Sequence, residues 1–409
     1  MPVKETKMPK KTASRKDTKD LLARALAAAD WFVNSQMKLP RTWMGDNCRF
    51  LYYYYMPEKR EVPGINWTHG RALFVLTDAY RATGDRRYVE SMELGARYLR
   101  ALQPLDPYYP ITYGSIREEI PQSPWGGVLD GAQAASGFLM LHTVTGNPDY
   151  LRRGRAFCEF MLRTWRPDKG LATCARYYPE KVEYLSEKTP WACIHHASAI
   201  PFWHLYKITG EGQYLSPLVH AADRILDCQR ADGGINFVAD IKAVGEPPLN
   251  HHWGLGKGDE RFLLRNDDGI VVVVLAAYEL TGDRKYLDAM VRYAEWIMAN
   301  EPHERPFNAF GVQANNVLDI GKAAGKDYSA WVFDHLDKHC LKLQAAGTGD
   351  PKADGGFRGE DEEGNAGIFG GHALDYVPTR NTCYMAGLLF RLSGKGTGTG
   401  FSPWGVTER

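Results

Sequence analysis

The chain has 409 residues, 44% of them hydrophobic and 24% charged, which supplies a sizeable core and excludes intrinsic disorder over most of the length. Lys and Arg total 50 against 49 for Asp and Glu, a net charge of +1, so there is no excess positive charge to condense along a nucleic acid. No apolar run approaches the ~18 residues of a membrane-spanning helix, and no membrane partner is expected.

In chain order, residues 1–16 form a basic tail with Lys4, Lys7, Lys10, Lys11, Arg15 and Lys16. No apolar stretch with a small-residue cleavage site follows it, so the tail reads as solvated rather than as a signal peptide, and the expected location is cytoplasmic. A first helix is predicted over about 17–38, followed by an irregular stretch holding Tyr52, Tyr53, Tyr54 and Tyr55, either a groove wall or an extended segment.

From there the sequence repeats. Thr83-Gly84-Asp85 with Tyr88, Thr145-Gly146-Asn147 with Tyr150, Thr209-Gly210-Glu211 with Tyr214, and Thr281-Gly282-Asp283 with Tyr286 are four copies of one pattern. Ala324-Gly325 with Tyr328 is a degenerate fifth. Each is flanked by apolar residues at helical spacing, so each reads as a helix, a turn and a second helix. The glycine takes the left-handed position that ends the first helix, the Asp or Asn caps the second, and the tyrosine is expected between the two helices.

Five hairpins follow at about 65–103, 128–165, 191–229, 266–300 and 311–345, with a single helix left at about 372–392. Two unpaired terminal helices are most economically paired with each other, which closes a ring of twelve. The predicted fold is all-α, an (α/α)6 barrel over 17–395 with a short tail at 396–409. A two-domain split near 166–190 or 236–260 competes, but the repeat runs through both places. The first helix of each hairpin should line the inside, and the long loops that precede these helices should form the functional face.

The T-G-D/N-x-x-Y signature, Gln229-Arg230-Ala231-Asp232-Gly233-Gly234 and Asp354-Gly355-Gly356-Phe357 resemble the six-hairpin superfamily of carbohydrate-active enzymes over most of residues 20–395. That resemblance implies a glycan substrate and leaves the reaction open. The segment from Tyr113 through Ser115, Arg117 and Pro124 to Trp125, with the paired histidines, resembles alginate- and glucuronan-type polysaccharide lyases. A weaker resemblance links Asp130 to a catalytic aspartate of unsaturated-glucuronyl hydrolases, although Trp67-Thr68-His69 stands where such a hydrolase presents its other Asp.

β-Elimination from a uronate needs the carboxylate neutralised, the C5 proton removed and the leaving oxygen protonated. The preferred catalytic set is Tyr178, His196, His252 and Arg117. His69, Tyr113, His195, His251, Arg265, Asn266 and Asp268 are candidate substrate contacts, and Trp125 and Trp253 are candidate stacking platforms for a pyranose. The bland reading is that one histidine of each adjacent pair fills the barrel, since neighbours on a helix point about 100° apart. Glu118 and Glu119 either orient Arg117 or belong to a solvated loop.

The alternative is a glycoside hydrolase using Asp130 with Asp267 or Asp268, two carboxylates that would otherwise cap a helix. A glycan-binding scaffold and an α-toroid terpene cyclase are further rivals, the latter disfavoured by the His- and Tyr-rich loops. Adjacent His251 and His252 lack the i, i+4 spacing of a helical zinc site, and no phosphate-binding glycine loop precedes a helix, so neither metal nor organic cofactor is expected. The seven cysteines contain no C-x-x-C pair and read as buried thiols. The expected partner is an oligo- or polysaccharide, acidic in character.

Overall fold

A computed structural model describes residues 15–38, 48–166, 174–177, 182–184, 196–240, 242, 263–264, 269–300, 309–359 and 369–396. Among the described residues there are twelve α-helices. α1 (Arg15–Ser35), α2 (Asn66–Thr83), α3 (Arg86–Leu102), α4 (Val128–Thr145), α5 (Pro148–Thr164) and α6 (Ile200–Thr209) make the first half. α7 (Leu215–Leu226), α8 (Ile270–Thr281), α9 (Arg284–Ala299), α10 (Ala309–Ala324), α11 (Ser329–His335) and α12 (Thr379–Leu392) make the second.

The even-numbered helices form the inner ring: each packs against the next, and α12 packs against α2. α1 lies against both α12 and α2, so the ring closes through the terminal helices and the fold is an (α/α)6 barrel. Composition explains the layers. Ile270 to Ala277 of α8 are apolar and buried throughout, as a helix between the axis and an outer shell must be. α3 instead buries Tyr88, Val89, Met92, Ala96 and Leu99 and turns Arg86, Arg87, Glu90, Glu93 and Arg97 to solvent.

The repeated turn has one geometry. Gly84 adopts φ +73° and its N–H donates to Tyr80 O at 2.7 Å, while the Asp85 carboxylate accepts from Arg87 N at 2.9 Å and caps α3. Gly146, Gly210 and Gly282 repeat the left-handed conformation. The tyrosines depart from expectation in one respect. Tyr150 and Tyr214 stack on Phe138 and Phe202 of their own inner helices, but the Tyr88 and Tyr286 hydroxyls reach Asp30 and Asp223 on the preceding outer helices.

A second repeat went unread in the sequence. Four glutamines at the ends of outer helices each donate from Nε2 to a carbonyl of the next outer helix. Gln36 reaches Ser91, Gln103 reaches Arg153, Gln229 reaches Ala289 and Gln344 reaches Arg24. The same Nε2 groups also hold loop carbonyls, those of Cys48, Gly114, Gly233 and Gly355. The Asp-Gly-Gly motifs serve this junction: a Cβ at Gly233 would meet Arg292 O at 2.5 Å, and one at Gly355 would meet Ala27 O at 2.1 Å. Both glycines have positive φ, so the motif is a scaffold device for tucking a loop under the next outer helix.

Two small antiparallel sheets, absent from the all-α expectation, decorate the loop face. β1 (Leu51–Tyr55) pairs with β2 (Arg60–Pro63) and with β6 (Tyr376–Pro378), joining the entries to α2 and α12 across the seam. β3 (Trp125–Gly127) leads directly into α4 and pairs with β4 (Cys174–Tyr177), which pairs with β5 (Val182–Tyr184). The tyrosine run is therefore an extended segment. Cys48, Cys158, Cys228, Cys340 and Cys383 are buried free thiols, and among the described residues no helix is long and apolar enough to cross a membrane.

Candidate functional site

The inner helices begin at the face that carries the long loops, and the starts of α2, α4 and α12 are rich in polar side chains. Asn66, Trp67 and Arg71 come from α2, Asp130 and Gln133 from α4, His196 from the turn before α6, and Arg380 and Asn381 from α12; all except Asp130 are buried. Burying such groups costs free energy, and their gathering at the loop end of the barrel makes that end the candidate place for chemistry.

The loop before α4 supplies the central feature. Its carbonyl groups at Arg117 and Glu118 accept from Asn66 Nδ2 and Asn66 N, both at 3.1 Å, which fixes the loop to the start of α2. Glu118 then points inward and is 4% exposed. Its Oε2 accepts from Gly127 N at 2.7 Å, and its side chain also hydrogen bonds to Asp130 in the first turn of α4. A Cβ at Gly127 would lie 2.7 Å from Asp130 Oδ2, so glycine makes room for the two carboxyls.

Burial is the largest cause pushing the Glu118 carboxyl well above its usual range, and the charge of and hydrogen bond to Asp130 push it the same way. The Gly127 amide and the Asn66 side chain oppose this and lose. Two carboxyls in contact cannot both ionise cheaply, so the pair gives up its last proton at a higher pH than an isolated carboxyl does. A carboxyl shifted in this direction is better suited to give a proton to a leaving oxygen than an ordinary surface carboxylate.

The remaining sequence candidates divide. Arg117 is half-buried and donates from Nη1 to Ser123 O at 2.9 Å, a clamp within its own loop, while Glu119 is exposed, 3.9 Å from Arg49. Neither reading of the adjacent glutamates anticipated a Glu118 partnered by Asp130. Trp125 is 46% exposed on β3, immediately before α4, with an indole open to solvent. His196 is buried at the turn into α6.

His69 is placed elsewhere. Its Nε2 accepts from Phe50 N at 3.0 Å, its Nδ1 donates to Ile65 O at 2.8 Å, and its ring lies 4.4 Å from that of Tyr98 on outer helix α3. Burial lowers its pKa to about 3, so it stays neutral and braces the scaffold instead of meeting a ligand. Tyr113 likewise turns towards Arg152 on outer helix α5, and its carbonyl accepts from Arg163. Tyr178, His195, His251, His252, Trp253, Arg265, Asn266, Asp267 and Asp268 lie outside the described residues.

An aromatic and cationic group lies between α2 and α12. The Arg380 guanidinium carbon is 5.0 Å from the Trp67 ring centroid, and that of Arg71 is 5.8 Å from the same ring and 4.4 Å from the Tyr384 ring. Arg71 Nε also donates to Gln133 Oε1 at 2.9 Å, tying α2 to α4. The sequence signal was an Arg in the second turn of one inner helix and the first turn of another, which carries no meaning until the ring closes. By contrast, a groove of about 580 Å³ lined by Gln229, Arg230, Lys285, Asp288 and Arg292 lies between outer helices α7 and α9 and gathers none of these groups.

No family model and no curated relative matches the chain. Solved structures do. A glycoside hydrolase family 76 mannosidase from Bacteroides thetaiotaomicron superposes with a TM-score of 0.63 at 15% identity, covering 91% of this chain and 98% of that one. An inactive variant of a family 76 α-1,6-mannanase from Salegentibacter sp., with two aspartates replaced and α-1,6-mannotetrose bound, gives 0.60 at 13%, covering 92% and 99%. Cellobiose 2-epimerase from Bacillus thermoamylovorans gives 0.61 at 11%, covering 92% and 100%. The expected nearness to polysaccharide lyases and unsaturated-glucuronyl hydrolases does not follow from these matches. What the likeness establishes is the architecture, an (α/α)6 toroid, with 91–92% of the chain covered by these matches.

Proposed function

We propose that this protein is a carbohydrate-active enzyme that cleaves glycosidic bonds by hydrolysis, with the Glu118–Asp130 pair as its proton donor. The observation that carries this reading is the hydrogen-bonded carboxyl pair itself, one member buried and pushed above the usual carboxyl range, at the mouth of an inner helix. Asp130, the more open member, delivers the proton, and Glu118 behind it keeps the pair charged with one. The two carboxyls are too close to act as the acid and base of a glycosidase, which stand about 5–9.5 Å apart. The opposing base is therefore a third carboxylate, and Asp267 or Asp268, directly before α8, is the candidate. The inactive Salegentibacter variant, in which two neighbouring aspartates are replaced, supports giving that role to an Asp-Asp pair.

β-Elimination from a uronate by Tyr178, His196, His252 and Arg117 is the second reading, and His196, buried at the entry to α6, favours it. The deciding experiment incubates the protein with neutral and uronate-containing oligosaccharides and follows reducing ends alongside ultraviolet absorbance. Hydrolysis gives reducing ends without absorbance and is lost in Asp130→Asn. Absorbance from a new C4–C5 double bond, surviving in Asp130→Asn, would overturn the hydrolytic reading.

A further inference from the structure

The stretch that presents Glu118 runs between α3 and α4, yet its backbone is fixed to the hairpin before it. Arg117 N donates at 2.9 Å to the carbonyl of Leu102, the last residue of α3. Three consecutive carbonyls are then held by that same hairpin. Arg117 O accepts from Asn66 Nδ2 and Glu118 O from Asn66 N, both at 3.1 Å, and Glu119 O accepts from the Tyr98 hydroxyl. Asn66 opens α2, Tyr98 lies in the last turns of α3, and the two are 0% and 5% exposed.

The side chain goes the other way. Glu118 Oε2 accepts from Gly127 N at 2.7 Å and the carboxyl bonds to Asp130 on α4, so one member of the pair is anchored on the first hairpin and the other on the second. A hydrogen bond weakens steeply once its angle or distance is wrong, so the two carboxyls meet only while the peptide behind Glu118 stays in place. The Asn66 side chain also bonds to the Glu118 carboxyl, so one buried amide serves both the backbone and the side chain of that residue. Tyr98 is braced in turn: the His69 ring lies 4.4 Å from its ring and the Arg49 guanidinium carbon 4.9 Å from its centroid.

We propose that Asn66 and Tyr98 are positioning residues for the proton donor: from the first hairpin they hold the Arg117–Glu119 peptide where the Glu118 carboxyl meets Asp130. The proposal rests on the carboxyl pair serving as the acid of the glycan-cleaving reading above. A residue with a packing role alone would lower stability evenly across pH, and would lower activity equally whether or not residue 118 is a carboxyl.

Among the described residues, the charged groups around Glu118 are Asp130 from α4 and its own neighbours Arg117 and Glu119. Arg117 Nη1 donates to Ser123 O, and Glu119 stands 3.9 Å from Arg49. Burial lowers the His69 pKa to about 3, so the brace behind Tyr98 keeps one charge state above about pH 4.

The test uses the full chain with Tyr98→Phe, which deletes one hydroxyl and keeps the ring between His69 and Arg49, and with Asn66→Ala. Melting temperature is followed against pH, each protein being read as the difference from the same chain carrying Glu118→Gln, which cancels the slopes of the buried histidines. Burial is the largest cause of the raised Glu118 value, so wild-type stability falls as the pH rises from about 4.5 through the folded value. In Tyr98→Phe the freed peptide admits water and the folded value drops, so this decline should shrink and end at lower pH. With a cleaved oligosaccharide as substrate, Tyr98→Phe should lower kcat by about tenfold with little change in KM, and far less in the Glu118→Gln background. Asn66→Ala should show the same non-additivity, and Tyr98→Phe keeps the test decisive if Asn66→Ala does not fold. Equal losses in both backgrounds, a melting curve displaced evenly across pH, or no change at all overturns the proposal and leaves hydrolysis standing. The shifted pH dependence of melting in a chain that cleaves no glycan upholds the positioning role and removes the hydrolytic reading instead.

Discussion

Gln344 reaches Arg24 across the seam of the ring, donating from Nε2 to the Arg24 carbonyl at 2.9 Å, and holds the Gly355 carbonyl at the same distance. This is the closing copy of the glutamine bridge that links consecutive outer helices elsewhere. Gln344→Leu removes the donor from two carbonyls, and each lost partner costs about 1–3 kcal/mol where water cannot replace it. Urea denaturation should show a clear loss of stability, with a comparable loss for Gln103→Leu, which sits at an internal junction. A stable Gln344→Leu protein would mean that the seam is held by packing alone.

Gly70 and Gly137 let α2 and α4 touch. A Cβ at Gly137 would fall 2.9 Å from Gly70 Cα, and one at Gly70 would fall 2.3 Å from Gln133 O. Gly70→Ala should cost about 1–3 kcal/mol through overpacking. It should also lower activity beyond the loss of folded protein, because α2 and α4 carry Arg71 and Asp130. Specific activity corrected for the folded fraction is the measurement; an unchanged value would show that the spacing of these helices is not critical.

Asp130→Asn should lower kcat by about 10²- to 10⁴-fold, the usual contribution of a general acid, with a smaller change in KM. Glu118→Gln keeps the shape but not the shared proton, and should shift the alkaline limb of the pH profile. Stability carries an independent signature. The folded pKa of Glu118 lies above its unfolded value of about 4.5, so its contribution is complete below that pH and is lost as the pH rises through the folded value. Thermal melts should show this decline in the wild type and not in Glu118→Gln.

His69 and His204 behave in the opposite sense. Burial lowers both to about 3 from 6.5, so the unfolded chain takes up protons that the folded chain refuses. Stability from these rings is present above pH 6.5 and drains as the pH falls towards 3, by about 1.4 kcal/mol per pH unit for each ring. His204 has no hydrogen-bond partner on either nitrogen among the described residues, with Phe74 beside it at 6.0 Å between ring centroids. His204→Leu should therefore be neutral or stabilising and flatten the acid slope, whereas His69→Leu strands the Phe50 N–H and should destabilise. Melting temperatures across pH 4–7, a range of about three units around these transitions, check both.

Much of the architecture was legible because a turn must be repeated locally to be repeated globally. Thr83-Gly84-Asp85 and its copies announce the hairpins, since only a left-handed glycine and a capping side chain satisfy the ends of two joined helices. The strands were not legible, being three to five residues long with no period to detect. The side-chain partnerships at the candidate site were less legible. Asp130 was singled out, but Glu118 was left either orienting Arg117 or in a solvated loop, because sequence shows only neighbours along the chain. His69 was a candidate substrate contact at a helix start, and its packing against Phe50 and Tyr98 appears only in the folded structure.

By itself, then, the sequence determined the twelve-helix ring, because hydrophobic period, glycine turns and end-to-end economy are local properties that sum to one topology. Tertiary structure alone decided which polar side chains share a boundary. The upward shift of the Glu118 carboxyl beside Asp130 and the gathering of Arg71 and Arg380 around Trp67 depend on distances between chain segments and on the removal of water, and both come into being only when the ring shuts.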